Sequence, residues 1–223
     1  MPGHHRGPRP ARTRFRHRIN RGSGVKPAIA ATLLAIVITG ATSMPAAASP
    51  QDYTDQYAKD RAEIEDLMAR YLFAMDYNDM DAYAATFTED GELEFASGSA
   101  VGRENIKATA AAFKERIASV YKDVDGNPAV LRHVLAQTVI RVEGDRAWAR
   151  AFWYEMANDG PRNASGRLTP QLGTFGIYED ELRKVDGHWL FSKRRILNEF
   201  LDGRNSGPGN PVPEMDALAE TAE

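Results

Sequence analysis

The feature that most limits how this chain can fold is a change of hydrophobic period near Arg132. Before it, apolar residues recur every three or four positions, and after it they recur every two. Ile64, Leu67, Met68, Tyr71, Leu72 and Met75 form the first stripe, with Asp60, Glu63, Asp66 and Arg70 outside it, so Tyr53–Met75 reads as an amphipathic helix. Asp76-Tyr77-Asn78-Asp79 supplies side chains that end one helix and cap the next, predicted over Met80–Phe87. A turn at Thr88–Gly91, a short strand Glu92–Phe95 and a loop at 98–102 lead to a third helix, Arg103 to Tyr121, with Ile106, Ala110, Phe113 and Ile117 on one side.

Beyond Arg132, Val134, Ala136, Thr138, Ile140 and Val142 alternate with His133, Gln137 and Arg141, and Glu143-Gly144-Asp145 turns back into Arg146–Met156. A polar connection at 158–170 precedes a second hairpin, Gly173–Val185 and His188–Leu201, closed at Asp186-Gly187. Helices first and antiparallel strands afterwards predict an α+β domain, a curved antiparallel sheet wrapped around N-terminal helices with an internal pocket between them. The tail from 203 to 223, with Gly207-Pro208-Gly209-Asn210-Pro211 and several acids, reads as disordered.

The first 48 residues read differently. They carry eight Lys or Arg and no acid, followed by the apolar run Ala28–Ala41 and the small residues around Ala46-Ala47-Ala48-Ser49. This is the order of a secretory signal peptide, and the run is shorter than the roughly 20 residues of a permanent membrane helix. Cleavage after Ala48 is expected, with a domain over 49–202 in the periplasm or outside the cell and no stable membrane insertion; an uncleaved anchor is the alternative. Losing eight of the 28 bases leaves 20 against 31 acids and moves the formal charge from −3 to −11. Such an acidic domain is a poor partner for nucleic acid. The chain has no cysteine, which excludes disulfides, thiol catalysis and zinc–thiolate sites, and only His133 and His188 remain after the leader. A histidine-rich metal centre is not expected.

Four short segments carry a resemblance. They are Tyr71-Leu72-Phe73-Ala74-Met75-Asp76-Tyr77-Asn78-Asp79-Met80-Asp81, Phe87-Thr88-Glu89-Asp90-Gly91, Gly102-Arg103-Glu104-Asn105-Ile106 and Lys184-Val185-Asp186-Gly187-His188-Trp189. In this order, over about Asp60 to Leu201, the chain resembles the SnoaL-like group of the nuclear-transport-factor-2-like superfamily, which implies a cone-shaped fold around one pocket. The nearest chemistry is that of scytalone dehydratase and the bile-acid dehydratases, which place a Tyr and an Asp near the first helix and a His at the start of a central strand. Tyr71, Asp76 and His133 stand at matching positions. The resemblance also implies an acid on the next strand and an Arg near the last, for which Glu155 and Arg194 are the candidates. Gly176 and Tyr178 depart from the Ser and Asn of the scytalone-type pattern, which implies a different substrate. Pairing through the sheet face makes a homodimer or homotrimer an expectation.

Elimination of water needs a base for C–H, an acid for the leaving hydroxyl and donors for an enolate-like oxygen. His133 oriented by Asp76 supplies a proton shuttle and Tyr71 a donor, with no metal or cofactor. Each has a structural reading too. His133 suits a strand histidine bonded to backbone, Asp76 a helix terminator, and Tyr71 a core aromatic. Glu155 shares strand parity with Trp153, which puts it either on the same wall or, so near the strand end, in solvent, while Arg194 either holds a substrate carboxylate, orients Glu155, pairs with an acid or lies on a solvated face. Trp153 and Tyr178, within a large aromatic supply, point to a hydrophobic ring-containing small molecule. The expected function is a dehydratase or isomerase working by acid–base catalysis; the alternative is a non-catalytic ligand-binding or assembly domain.

Overall fold

A computed structural model of the protein describes residues 50–203 and 206–221. The leader expected over 1–48 lies outside the described residues. The elements in order are α1 (Asp55–Asp76), α2 (Met80–Ala85), β1 (Phe87–Phe95), β2 (Gly98–Val101), α3 (Arg103–Val120), β3 (Leu131–Glu143), β4 (Arg146–Ala157), β5 (Gln171–Val185), β6 (His188–Asn198) and α4 (Val212–Glu220).

Local chemistry sets the helix ends. The Thr54 hydroxyl accepts the Tyr57 amide at 3.1 Å to start α1. Asn78 at φ 59 turns the chain after α1, a conformation asparagine tolerates better than most residues. The Asp79 carboxylate then caps α2 by accepting the Ala82 amide at 3.0 Å.

The six strands form one curved, unclosed sheet in the order β2-β1-β6-β5-β4-β3. Three points differ from the expectation, the first being that β1 begins at Phe87 and takes in Thr88–Gly91, where a turn was expected, with a register shift between Phe87 and Glu92. The loop predicted at 98–102 is strand β2, a short hairpin partner of β1. The sheet is also not wholly antiparallel, because β1 and β6 run parallel. A crossover rather than a hairpin joins this pair, so nothing forces their directions to oppose. The described core lies on one sheet face, where Ile64, Met68 and Tyr71 of α1, Tyr83 of α2 and Ile106 of α3 meet Ala149, Leu182 and Phe191. The disordered tail predicted from 203 instead contains α4, whose Met215 and Ala219 are buried against Trp148 on the opposite face. Val212, Met215 and Ala219 are spaced three and four apart and cover that otherwise exposed indole.

Asp60 ties the start of α1 to the β5–β6 hairpin. It is 2% exposed and accepts from Trp189 Nε1 and Gln56 Nε2, both at 2.9 Å, and from Lys184 Nζ. Burial opposes its charge, but the bonds from Lys184, Gln56 and Trp189 outweigh that and hold the carboxyl below the ordinary aspartate range. Asp60→Ala leaves the buried indole N–H without an acceptor and lowers stability by about 2 kcal/mol at neutral pH. A carboxyl with a depressed pKa contributes its stability above its unfolded value of 3.8 and loses it as the pH falls through the folded one. Urea titrations therefore give a gap between wild type and Asp60→Ala that narrows in acid.

Candidate active site

Strict alternation along β3 would put His133 on the opposite face from Ile140 and Val142. The structure breaks the alternation with a bulge between Ala136 and Val139, where Gln137 adopts φ 51. The extra residue reverses parity. Leu135 opposite Trp153 and Ile140 opposite Ala149 consequently share the core face, and His133 joins them directly opposite Glu155.

The last residue of α1 meets that position. Asp76 Oδ1 lies 2.6 Å from His133 Nδ1, and Asp76 Oδ2 accepts the His133 backbone amide at 2.9 Å. An aspartate can only accept, so Nδ1 carries a proton, and in the neutral imidazole Nε2 is then the nitrogen with the lone pair. Capping falls to Asp79, and both Asp76 oxygens go to a residue 57 positions away. On the other side, His133 Nε2 lies 3.4 Å from Glu155 Oε2. The His133, Asp76 and Glu155 side chains are 11%, 6% and 7% exposed, so the imidazole stands between two carboxyl groups largely out of water. Burial pushes the Glu155 carboxyl above the ordinary glutamate range, against opposing pulls from His133 and Lys114.

Trp153 completes the wall, its ring centroid 6.1 Å from that of His133 and stacked at 5.5 Å on Tyr178. Gly176 makes room for it, because a Cβ there would stand 3.1 Å from the indole ring and 2.0 Å from the Leu197 carbonyl oxygen. Glu155 Oε1 and Trp153 Nε1 are buried without a hydrogen-bond partner. Lys114 of α3, which the sequence reading passed over, lies within electrostatic reach of Asp76 and Glu155. Its signal was its spacing of four from Ala110 and eight from Ile106, the two buried residues of α3, at a place where an apolar residue is usual.

Arg194 and Tyr71 belong to a second cluster. Arg194 is 0% exposed and paired twice with Asp180, Nε to Oδ1 and Nη2 to Oδ2, each at 2.7 Å. Its guanidinium stands 4.0–4.3 Å from the centroids of Phe191, Tyr71 and Tyr178. Of the readings open to Arg194, the structure shows the ion pair; its partner is Asp180 rather than Glu155. The Tyr71 hydroxyl is bonded to that of Tyr83 at 2.7 Å, and burial raises both phenols above their ordinary range. Tyr178 touches both clusters, through Trp153 on one side and Arg194 on the other. His188 is exposed at its hairpin turn, as expected. Phe73, Phe152 and Phe175 are 68%, 45% and 44% exposed, so that part of the aromatic supply does not line this site. An open cleft of about 270 Å³ on the opposite sheet face is lined by Arg183 and Asp90, and by Lys193 and Glu92, which neutralise each other in pairs.

The family profile of the SnoaL-like domain matches residues 56–195. The chain belongs to the SnoaL-like family. The match runs from α1 into β6 and takes in all seven residues singled out by sequence, with α4 beyond its end. Among solved structures, a nuclear-transport-factor-2-like protein with a cystatin-like fold from Novosphingobium aromaticivorans is 27% identical, with 66% of this chain and 86% of that one covered and a TM-score of 0.52. A Catenulispora acidiphila protein in complex with S-DNPA is 25% identical over 64% of this chain and 95% of its own, with a TM-score of 0.51. A candidate scytalone dehydratase from Novosphingobium aromaticivorans shares the fold at 22% identity, over 71% and 96% of the two chains, with a TM-score of 0.52. No curated protein matches this SnoaL-like chain in sequence.

Proposed function

We propose that this SnoaL-like domain is a cofactor-free acid–base enzyme, a dehydratase acting on a hydrophobic ring-containing small molecule, and that it works outside the cytoplasm, as its basic-then-apolar leader implies. One observation carries the reading: His133 has one nitrogen held by Asp76 at 2.6 Å and the other facing Glu155 at 3.4 Å. The Catenulispora protein, of the same fold, is seen in complex with S-DNPA, and the 22% identical Novosphingobium protein bears a scytalone dehydratase name.

In the forward step Nε2 takes the proton from a carbon next to a carbonyl, and the Glu155 carboxyl gives its proton to the departing hydroxyl at the neighbouring carbon. The C–H pair becomes the new C=C bond, the C–O bond breaks and water leaves. The imidazolium is stabilised by Asp76, and its Nε2 proton returns to Glu155 across the short gap, resetting both groups. Base and acid this close stand on one face of the substrate, so the elimination is syn. Trp153 and Tyr178 form a flat aromatic wall beside the imidazole. Tyr71 has no part in this scheme, because its hydroxyl lies in the second cluster, beside Tyr83 and Arg194. A proton-bearing Glu155 beside the base favours elimination over isomerisation, since a one-base isomerase needs no acid for a leaving hydroxyl.

The test is turnover of a panel of cyclic β-hydroxy ketones, followed by the absorbance of the enone. Glu155 has a raised pKa, so it keeps its proton further toward neutral pH and loses it as the pH rises. Wild-type activity accordingly falls as rising pH takes the proton from Glu155, and Glu155→Gln removes this limb together with most of the rate. Turnover across the panel that is unchanged in Glu155→Gln refutes the assignment.

A further inference from the structure

We propose that Lys114 is the substrate-recognition residue of this site, and that the substrate presents an acidic oxygen to it, a carboxylate or the oxygen of an enolisable carbonyl. The assignment rests on reading the surroundings of His133 as the substrate site.

The placement of Lys114 is unusual for a helix lysine. Ile106 and Ala110 of α3 are 0% and 2% exposed, and Lys114 is the next residue along that face. It is half-buried, whereas Phe113, the residue expected to face inward, is 38% exposed. An ammonium on an inward face is costly to desolvate, and here burial lowers its pKa from the ordinary lysine value. Among the described residues no side chain makes a hydrogen bond or ion pair with it. A lysine kept for stability alone would turn its flexible stem outward and leave its charge in water.

The neighbouring polar atoms make a second, independent case. Trp153 Nε1 is an indole donor in a residue 5% exposed, and it has no acceptor. Glu155 Oε1, in a residue also 5% exposed, has no partner either. Asp76 spends both oxygens on His133. The surroundings of the imidazole therefore offer the Lys114 ammonium, within electrostatic reach of Asp76 and Glu155, and a buried indole N–H that has no acceptor. What such a surplus of donors lacks is an acceptor with negative charge. Arg132, which Lys114 also feels, adds to the positive potential. An oxygen held by Lys114 beside His133 is the one that becomes enolate-like when Nε2 removes the adjacent proton, or a fixed carboxylate that orients the ring.

Two probe sets separate the two kinds of oxygen. Calorimetry with 2-naphthoate and its neutral analogue 2-naphthamide reads carboxylate recognition, and the absorbance titration of 4-nitrophenol reads phenolate or enolate recognition. Wild type is expected to bind 2-naphthoate about tenfold or more tightly than 2-naphthamide, or to titrate bound 4-nitrophenol at lower pH than the free phenol. Lys114→Met, checked for an intact thermal transition, removes the preference, and Lys114→Arg retains most of it. His133→Ala keeps the preference while losing turnover, so failure of the acid–base reading and failure of this one are distinguishable. The assignment is overturned if wild type shows neither effect, or if folded Lys114→Met shows them undiminished.

Discussion

His133→Ala and Asp76→Asn each cut turnover by about 10²- to 10⁴-fold, the range of a positioned acid–base group. Both are expected to leave the protein folded. In His133→Ala the Asp76 carboxylate keeps the backbone amide of residue 133 on Oδ2 but loses the partner of Oδ1, which costs about 1–3 kcal/mol of stability without unfolding the domain. In Asp76→Asn the side chain keeps its size, but its amide can donate as well as accept, and it no longer forces the proton onto Nδ1. It also withdraws the negative charge that stabilises the imidazolium. The measurement is enone formation under saturating substrate, with thermal denaturation alongside. A loss of kcat with a cooperative thermal transition retained, lowered by several degrees at most, is the expected result. Equal turnover by wild type and His133→Ala, both folded, shows that the chemistry lies elsewhere.

Arg194→Met destabilises the fold by about 3–5 kcal/mol, a large share of the 5–15 kcal/mol that holds a typical domain. The pair it breaks is wholly sealed, with both side chains 0% exposed. Removing the guanidinium leaves the Asp180 carboxylate buried without its two 2.7 Å donors. It also removes the cation lying over Tyr71, Tyr178 and Phe191. Asp180→Leu alone is similarly harmful, because it strands the cation. The double variant Arg194→Met with Asp180→Leu recovers much of the loss, since well-packed apolar side chains of similar volume commonly match a buried ion pair. Urea unfolding of the four proteins closes the cycle. If the single variants are as stable as wild type and only ligand binding suffers, Arg194 is a substrate group and not part of the packing.

The helical stripe from Ile64 to Met75, the two hairpins and the acidic corner at Asp76–Asp79 were all legible, because each follows from spacing within one segment. Asp76, His133 and Glu155 were legible as residue types in suggestive places, and the structure brings them together. Tyr71 and Arg194 were legible too, but not their commitment to Tyr83 and Asp180. Lys114 was missed because a lysine on a surface helix reads as a solvated charge. Strand β2 and α4 were missed because Gly98 and the Gly- and Pro-bearing stretch before Val212 read locally as loop.

By itself, the sequence determined the class of fold, through the switch from a 3.6-residue to a two-residue period, and it placed a histidine near the start of the first long strand. Only the tertiary structure decided which way that histidine faces. A single extra residue at the Gln137 bulge carries His133 from the outer face of β3 to the core face, beneath the end of α1 and opposite Glu155. Side-chain direction along a strand alternates with every residue. One inserted position therefore reverses the face of everything before it, and nothing in the apolar pattern of β3 marks where cross-strand pairing with β4 requires the insertion.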